Sequence, residues 1–309
     1  MRPMLASKGT HVPSGDAWTH EVKWDGVRIL ADVRAGSGRA RLLTRNGNDA
    51  SVAWPDVVTS PLADRDVLVD GEIIGLNDAG LPDFGVLQER MHVRSAVTAA
   101  RLADRVPATF MVFDLLRLDG DDLTGLPLDE RRERLQELEL DASWQVPSAY
   151  DDGQMLFEAT LQQGLEGIVS KKRTSRYTFD TRSPHWIKLA HRHRHSFVVG
   201  GWRPQEGTSD RLASVLVGEP GPGGLLYRGR VGSGIGAAAS RLLSELVAPL
   251  TIAESPFADE VPRVDAVGTH WVQPSVVVDV DAHSRAPVSR LRQPSFRGVR
   301  SDIGPEDLL

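Results

Sequence analysis

The stretch EVKWDGVR at residues 21–28 places an Asp-Gly pair, Asp25-Gly26, between two cations. Asp-Gly is a strong signal for a two-residue β-hairpin loop, and it predicts that Lys23 and Arg28 lie directly opposite each other on one face. Opposed like charges are mildly destabilising by themselves. Two interpretations stay open: the side chains splay apart into solvent, or they surround an anion and the guanidinium helps to activate the lysine amine as a nucleophile.

The composition bounds the class of protein. The chain has 309 residues, which suggests two domains rather than one. Its formal net charge is −6, so local basic patches must hold any anionic partner. Cysteine is absent, which excludes disulfides, thiolate nucleophiles and cysteine-ligated metals and leaves lysine, carboxylate, histidine and hydroxyl chemistry. The opening residues lack a signal-peptide core and no run is long enough to span a bilayer, so we expect a cytoplasmic protein.

The first half of the chain reads as short strands followed by helices. The clearest buried strands are predicted at residues 67–76 and 108–118, where apolar residues run almost without interruption. Helices are predicted at 128–140 and 153–164. This order of strands and helices is typical of an α+β domain.

The second half begins a new set of alternating strands at FVVGGW (197–202). Several short strands, many glycines and one helical segment near 237–247 are typical of a small antiparallel barrel. We therefore predict two domains, 1–193 and 194–309.

Cations accumulate just before this boundary. The run from residue 171 to 194 contains a single acid, Asp180, and eight basic residues: Lys171, Lys172, Arg173, Arg176, Arg182, Lys188, Arg192 and Arg194. A basic run of this kind in an acidic protein indicates a local anion-binding surface.

Polar residues interrupt the predicted strands in a way that suits phosphoryl chemistry. Arg45 in TRNG precedes an Asn-Gly turn; its guanidinium suits phosphate or ribose, and a surface loop arginine is the alternative. Asp70 and Glu72 in VDGEIIGL stand at i and i+2 on an apolar strand, so both point to one face. A carboxylate there bonds a ligand hydroxyl, holds a divalent cation or marks a strand end.

Three further residues have both a structural and a functional interpretation. Phe113 in FMVFD is, on its own, an ordinary core aromatic. Glu166 in LEGIVSKK lies between a helix end and the strand that carries Lys171, which brings an acid and a base to one pocket rim. Lys188 in HWIKLAH is, on its own, one more member of the basic run.

In their order along the chain, these stretches resemble a known family. KWDGVR, TRNG, VDGEI, FMVFD, EGIVSK and WIKL follow the order and approximate spacing of the nucleotidyltransferase motifs of ATP-dependent DNA ligases and the related mRNA-capping enzymes. The second half adds FVVGGW, GRVGSG, HWVQPSVVVDV and RQPSFRGVRSD, which look like the appended oligonucleotide-binding-fold (OB-fold) domain. These segments are most similar to the ligase domain of bacterial ligase D, the end-joining enzyme, and to its stand-alone relatives.

The resemblance implies both a fold and a reaction. The fold would be α+β: an adenylyltransferase (nucleotidyltransferase) domain of ATP-grasp-like antiparallel sheets and helices, followed by an OB-fold β-barrel domain. The reaction would be ATP-dependent sealing of 5′-phosphate/3′-hydroxyl breaks in duplex DNA, in DNA repair or end joining. Its intermediate would be a covalent lysyl-AMP on Lys23.

The resemblance also implies roles for individual residues. The nucleotide would be bound by Glu21, Arg28, Arg45, Glu72, Phe113, Lys171 and Lys188. Within this set, Glu72 would bind the ribose hydroxyl and Phe113 would stack on adenine. The two lysines would approach the phosphates. The catalytic Mg²⁺ or Mn²⁺ would be held by Glu166 and Asp25. DNA or pyrophosphate would be contacted by Arg292, Arg297, Arg300 and Asp302.

The expected partners follow from the same resemblance. They are nicked or broken duplex DNA, together with a Ku-like end-binding protein and a separate polymerase. We expect a monomer associated with the nucleoid of a prokaryote. The basic run and the C-terminal arginines, including Arg285 and Arg290, would contact DNA phosphates, which gives affinity without sequence preference.

Two positions depart from the family pattern. Ala190 stands where a second lysine commonly follows WIK, and Ile303 stands where the C-terminal motif usually ends in lysine. Each change removes a cation expected near phosphate, and His191, Lys172 or a nearby arginine could compensate. Two alternatives stay open: a catalytically weakened DNA-end-binding homologue, and an RNA ligase or capping guanylyltransferase that uses the same lysine chemistry.

Overall fold

The structure is a computed structural model that describes residues 1–140, 143–191, 193–208, 211–282 and 290–308. The chain divides into two compact units, Met1–His191 and Arg192–Leu309. The predicted boundary after residue 193 stays a prediction. Arg192 and Arg285, two of the arginines predicted to contact DNA, lie outside the described residues.

The first unit combines strands with short helices. Its described strands are β1 Leu5–Lys8, β2 Trp18–Val22, β3 Val27–Val33, β4 Ala40–Thr44, β5 Val67–Gly75, β6 Ala108–Leu118, β7 Asp121–Asp122, β8 Trp144–Gln145, β9 Ala149–Tyr150, β10 Gly167–Lys172 and β11 Arg182–Ala190. Its described helices are α1 Pro55–Val58, α2 Phe84–Leu87, α3 Ala96–Arg105, α4 Leu128–Gln136 and α5 Gly153–Gln162. Side chains cap three of them: Asp83 accepts from the Gly85 amide at α2, Ser95 Oγ accepts from the Thr98 amide at α3, and Asp152 accepts from the Met155 amide at α5.

The strands form two sheets that share a core. One sheet has the strand order β1-β11-β10-β2-β9, and the other has the order β4-β3-β5-β6-β7 with β8 beside β6. The β1–β11 and β6–β8 pairs are parallel, and the remaining pairs are antiparallel. Leu30, Leu68 and Phe113 of the second sheet pack with Trp186 of the first sheet and with Tyr177. The sheets therefore face each other.

The hairpin predicted at Asp25-Gly26 is wrong. Strand β2 pairs with β10 and β9, whereas β3 pairs with β4 and β5, so the segment between β2 and β3 connects two sheets. Arg28 lies opposite Glu72 and not opposite Lys23. The backbone amide of Lys23 donates to the carbonyl of Gly167 and prolongs the contact with β10.

The glycine of this segment explains the error. A two-residue turn of type I′ needs a positive φ at both central residues, and Gly26 is not among the residues with positive φ. A Cβ at Gly26 would lie 2.1 Å from the carbonyl oxygen of Ile73. Glycine is needed here because the backbone passes closely over β5, and not because the chain reverses.

The longer predicted elements are found close to their predicted bounds. The strands predicted at 67–76 and 108–118 correspond to β5 and β6, and the helix predicted at 153–164 corresponds to α5. The helix predicted at 128–140 ends at Gln136, after which a turn carries Leu138 into the core.

The second unit is an antiparallel sheet with helices. Its described strands are β12 His193–Pro204, β13 Leu212–Gly221, β14 Gly224–Val231, β15 His270–Trp271, β16 Val277–Ala282 and β17 Ser295–Arg300. Its described helices are α6 Ala237–Val247, which matches the predicted segment, and α7 Arg263–Ala266. The strand order is β14-β13-β12-β16-β17, with β15 beside β12. The amide of Phe296 on β17 donates to the carbonyl of Ser233, just beyond β14, so the two edge regions meet.

The interior of the first unit contains a fully buried ion pair, in which both carboxylate oxygens are bonded. Arg131 on α4 donates from Nε and Nη2 to the two carboxylate oxygens of Asp114, both at 2.7 Å, and neither side chain has accessible surface. Its Nη1 donates to the carbonyls of Leu126 and Ser175. The pair therefore joins α4 to β6 and to the segment before β11.

We expect Arg131→Met to lower the free energy of unfolding by about 3–5 kcal/mol, because it leaves the Asp114 carboxylate buried without its cation. Urea unfolding at neutral pH measures this. The matched control is Arg41→Met, which breaks the exposed Arg41–Asp49 pair and should cost less than about 1 kcal/mol. Equal losses of unfolding free energy in the two variants would contradict the inference that the buried Arg131–Asp114 pair is needed for stability.

Candidate active site

A cavity in the first unit is lined by residues from both sheets. Its lining consists of Leu5, Ala6, Glu21, Val22, Lys23, Trp24, Arg28, Arg45, Glu72, Phe113, Val169, Lys171, Arg182, Trp186 and Lys188. The lining includes Lys23 and every residue predicted to bind the nucleotide. Residues that lie far apart in the sequence therefore meet because the two sheets face each other.

Cations converge around Lys23 at one part of this cavity. The Nζ of Lys23 lies 2.5 Å from Oε2 of Glu166. Burial lowers the pKa of Lys188, and the nearby cations Lys23, Arg182 and Arg45 lower it further, while Glu166 opposes them. A group of cations that repel one another and outnumber the carboxylates Glu166 and Glu72 beside them is suited to an anion. We call Lys23, Arg45, Arg182 and Lys188 the cation cluster.

The sequence placed Arg182 in the basic run and not among the residues predicted to bind the nucleotide, although it lies on the same predicted anion-binding run as Lys188. Arg182, Trp186 and Lys188 of β11 all line the cavity, and Trp186 and Lys188 share one face of the regularly paired part of this strand. Ala190 continues this series beyond Lys188. Arg182 therefore adds a cation to the cavity from the strand on which the family's second lysine is missing.

Of the other candidates to compensate for Ala190, His191 is turned towards α5. Its Nε2 lies 2.9 Å from Oγ1 of Thr160, and its ring packs on Phe157. Lys172 does not line the cavity.

Glu72 is half-buried beside the cation cluster. Burial raises its pKa to about 7, against the opposing effect of Arg28 and Lys23. A carboxylate at this place can accept hydrogen bonds from a ligand hydroxyl. Its role on ribose stays a prediction.

Asp70 lies next to Glu72 on the same face of the strand, and its carboxylate is bonded by protein side chains. Arg28 donates to both of its oxygens, at 2.6 and 2.7 Å, and Tyr177 Oη donates at 2.6 Å. Asp70 has no accessible surface. Asp70 therefore forms an ion pair that orients Arg28, a role that the sequence did not predict.

A second part of the cavity is aromatic. The guanidinium of Arg28 lies 4.5 Å from the ring centroid of Phe113, and Nζ of Lys171 lies 4.4 Å from the same centroid. Lys171 also contacts the Trp186 ring and is 2% exposed. Its Nζ donates to Glu21 at 2.7 Å. The amine of Lys171 is therefore held at the aromatic part of the cavity by the rings of Phe113 and Trp186 and by the carboxylate of Glu21. It is not a member of the cation cluster.

The predicted metal ligands Glu166 and Asp25 both lie outside the cavity lining, and their role as metal ligands stays a prediction. Glu166 contacts Lys23, and the carboxylate of Asp25 lies near the amide of Phe84. Within the described ranges, no group of three or more His, Cys, Asp or Glu side chains is arranged to hold a metal ion. Among the same residues, no helix is long and apolar enough to cross a membrane.

The residues predicted at the C-terminal end belong to the second unit, where carboxylates hold two of the arginines. Arg297 donates to Asp281 at 2.5 Å, and Arg300 donates to both oxygens of Asp302, at 2.7 and 2.8 Å. Asp281 also accepts from Arg194 at 2.9 Å. Contacts of these arginines with DNA or pyrophosphate stay predictions, as does the role of Arg292.

We expect Glu72→Gln to stabilise the protein at high pH. The folded protein keeps a proton on Glu72 that the unfolded chain releases near its ordinary pKa of about 4.3, so this group lowers stability as pH rises from about 4.5 to 7. The free energy of unfolding of the variant should exceed that of the wild type by about 3 kcal/mol above pH 7 and by little near pH 4.5. Urea titrations across this range measure the difference. Glu206→Gln, in an exposed loop, serves as control; a pH-independent effect of Glu72→Gln would contradict the assignment.

Comparisons with known proteins agree on one family. The model of the ATP-dependent DNA ligase domain matches residues 3–189, and the model of the ATP-dependent DNA ligase C-terminal region matches residues 208–303. The chain is 38% identical to the multifunctional non-homologous end joining DNA repair protein LigD of Mycobacterium tuberculosis. That match covers 100% of this chain and 40% of LigD.

Two further relatives extend the comparison. DNA ligase C of Mycobacterium tuberculosis is 36% identical over 79% of this chain and 69% of that protein. The structure of a mycobacterial DNA ligase D complexed with ATP and MES is 36% identical, has a TM-score of 0.58 and covers 100% of this chain and 97% of that one. The two units are accordingly a nucleotidyltransferase domain and an OB-fold domain. With both of its units matched, the chain belongs to the ATP-dependent DNA ligase family.

Proposed function

We propose that this ATP-dependent DNA ligase seals breaks between a 5′-phosphate and a 3′-hydroxyl in duplex DNA through a lysyl-AMP intermediate on Lys23. The observation that carries the proposal is the position of Lys23, whose amine lies beside Glu166 within the cation cluster. The cluster suits the triphosphate of ATP, and the aromatic part around Phe113 suits its base.

The first step is nucleotide transfer to the enzyme. Nζ of Lys23 attacks the α-phosphorus, the bond from this phosphorus to the oxygen bridging it to the β-phosphate breaks, and pyrophosphate leaves with that oxygen while the amine loses a proton. Glu166 holds the attacking amine in place, and Lys188 and Arg182 balance the phosphate charge. AMP then passes to the DNA 5′-phosphate, and the 3′-hydroxyl displaces it to close the strand.

The site fits a divalent cation that is held partly by the nucleotide. Mg²⁺ commonly binds through one or two carboxylates plus substrate phosphates, so a complete protein cage is not required. Glu166 is the carboxylate that would hold Mg²⁺ or Mn²⁺ here, next to the cation cluster. When bound, the ion would neutralise charge on the phosphate oxygens.

We also propose a role in end joining. The support is the similarity to LigD, whose name describes a multifunctional non-homologous end joining DNA repair protein, although this chain spans 40% of that protein's length. A Ku-like end-binding protein and a separate polymerase would then supply the other functions. An assay of nicked duplexes against cohesive and blunt ends, with and without such partners, tests this role.

We expect Lys23→Arg to abolish covalent labelling by ATP that carries radioactive phosphorus at the α-position. Arginine keeps a cation beside Glu166, but its guanidinium stays protonated and cannot act as the nucleophile. Labelled protein is measured on a denaturing gel with Mg²⁺ or Mn²⁺. Lys172→Arg, which lies outside the cavity lining, should label like the wild type. Persistent label on the Lys23 variant would mean that another residue carries AMP.

We expect Asp281→Asn to strengthen binding to nicked duplex DNA. The change releases Arg194 and Arg297 from a shared carboxylate, so both can reach phosphates. The slope of log affinity against log salt should steepen by about 1–2, because each new phosphate contact adds about 0.9. Glu219→Gln, which raises the net charge by the same amount and releases Arg228, is the control. Equal effects of the two variants would show that only net charge matters.

A further inference from the structure

Helix α4 buries two consecutive arginines that hold different carboxylates. Arg131 binds Asp114, which does not line the cavity. Arg132 binds Glu21, which does. The two arginines are 0% and 5% exposed, so they are matched in burial and differ in the group that each one orients.

Two cations fix the carboxylate of Glu21. Arg132 Nη1 donates to Oε1 at 2.8 Å, and Lys171 Nζ donates to Oε2 at 2.7 Å. The same two cations approach the carbonyl oxygen of Phe113, at 3.5 and 3.4 Å. Charge-assisted hydrogen bonds to both oxygens leave Glu21 little freedom to rotate. Because a carboxylate oxygen has two lone pairs, each oxygen can still accept one more bond.

The cations are themselves held in place. Arg132 Nη2 donates to the carbonyl of Pro147 at 2.9 Å, and Lys171 lies 4.4 and 4.3 Å from the rings of Phe113 and Trp186. Breaking either ion pair with Glu21 would leave a buried cation without its carboxylate. The geometry of Glu21 is therefore set by α4 and β10, outside the segment that carries Lys23.

We propose that Arg132 is a positioning residue for the nucleotide base, and the inference rests on the proposed function. With the triphosphate at the cation cluster, the base lies at Phe113, where Glu21 lines the cavity. Arg132 and Lys171 turn Glu21 so that it presents an acceptor to the base edge. Adenine carries a 6-amino donor that satisfies this acceptor, whereas guanine and hypoxanthine carry a 6-oxo acceptor that leaves it unpaired. Arg132 thus contributes to the choice of ATP without touching it.

The test compares Arg132→Gln and Arg132→Lys with Arg131→Lys in covalent self-adenylylation. ATP is compared with ITP, in which only the 6-amino group is replaced by oxygen. Arg132→Gln should raise the KM for ATP about 10- to 100-fold, the range expected for loss of a hydrogen bond to a charged group. Its kcat should change little, and its preference for ATP over ITP should fall by a similar factor.

The remaining variants separate positioning from stability. Arg132→Lys should recover part of the ATP preference, because its ammonium can still reach Oε1. Arg131→Lys should lower the thermal midpoint and leave both the KM for ATP and the ATP/ITP ratio unchanged. Glu21→Gln should shift the preference towards ITP, because its amide can donate to the 6-oxo group.

Two outcomes would overturn the inference. One is a folded Arg132→Gln variant with wild-type KM and ATP/ITP ratio. The other is an equal shift of the ratio in Arg131→Lys, which would assign the effect to general loosening of α4. Wild-type labelling by ATP keeps the proposed function intact in both cases. Failure of the wild type to label with ATP would overturn the proposed function and this inference together.

Discussion

The ion pair between Arg28 and Asp70 connects the stability of the first unit to its active site. Arg28 binds both oxygens of a carboxylate that has no accessible surface, and Tyr177 donates to the same group. The Tyr177 hydroxyl in turn accepts from the amide of Met4, next to β1 of the other sheet. Because a buried carboxylate without partners is strongly unfavourable, these contacts must form together. The same geometry places the Arg28 guanidinium over the ring of Phe113.

The balance of charge distinguishes structural from functional cations. Arg131 has its own buried carboxylate, and Arg90 binds Asp56 in the same way. The cation cluster is not balanced in this way, because its four cations outnumber the carboxylates of Glu166 and Glu72 beside them. An excess of positive charge in a cavity costs energy in the absence of an anion, and a triphosphate removes that cost. The C-terminal residues Arg297 and Arg300 are balanced in this way by Asp281 and Asp302.

The long strands and helices were predicted well because their local pattern of apolar residues is enough to identify the type of element. Strands β5 and β6 and helix α6 are recognisable from local sequence, since an apolar run or a helical period persists over enough residues. The Asp25-Gly26 hairpin failed for the opposite reason. A turn signal of two residues describes local preference alone, and here the close passage over Ile73 decides the backbone path. That contact joins residues almost fifty positions apart, which no local rule can detect.

The sequence by itself determined the family and the identity of most cavity residues, because phosphoryl transfer requires particular side chains and the chain carries them in short ordered motifs around Lys23. Tertiary structure decided how those side chains are used. It pairs Asp70 with Arg28 and Lys171 with Glu21. It also places Arg182 in the cavity lining and Arg132 in contact with Glu21. The physical reason is that the role of a charged side chain depends on the groups that it contacts. These contacts form only when the two sheets and helix α4 pack together.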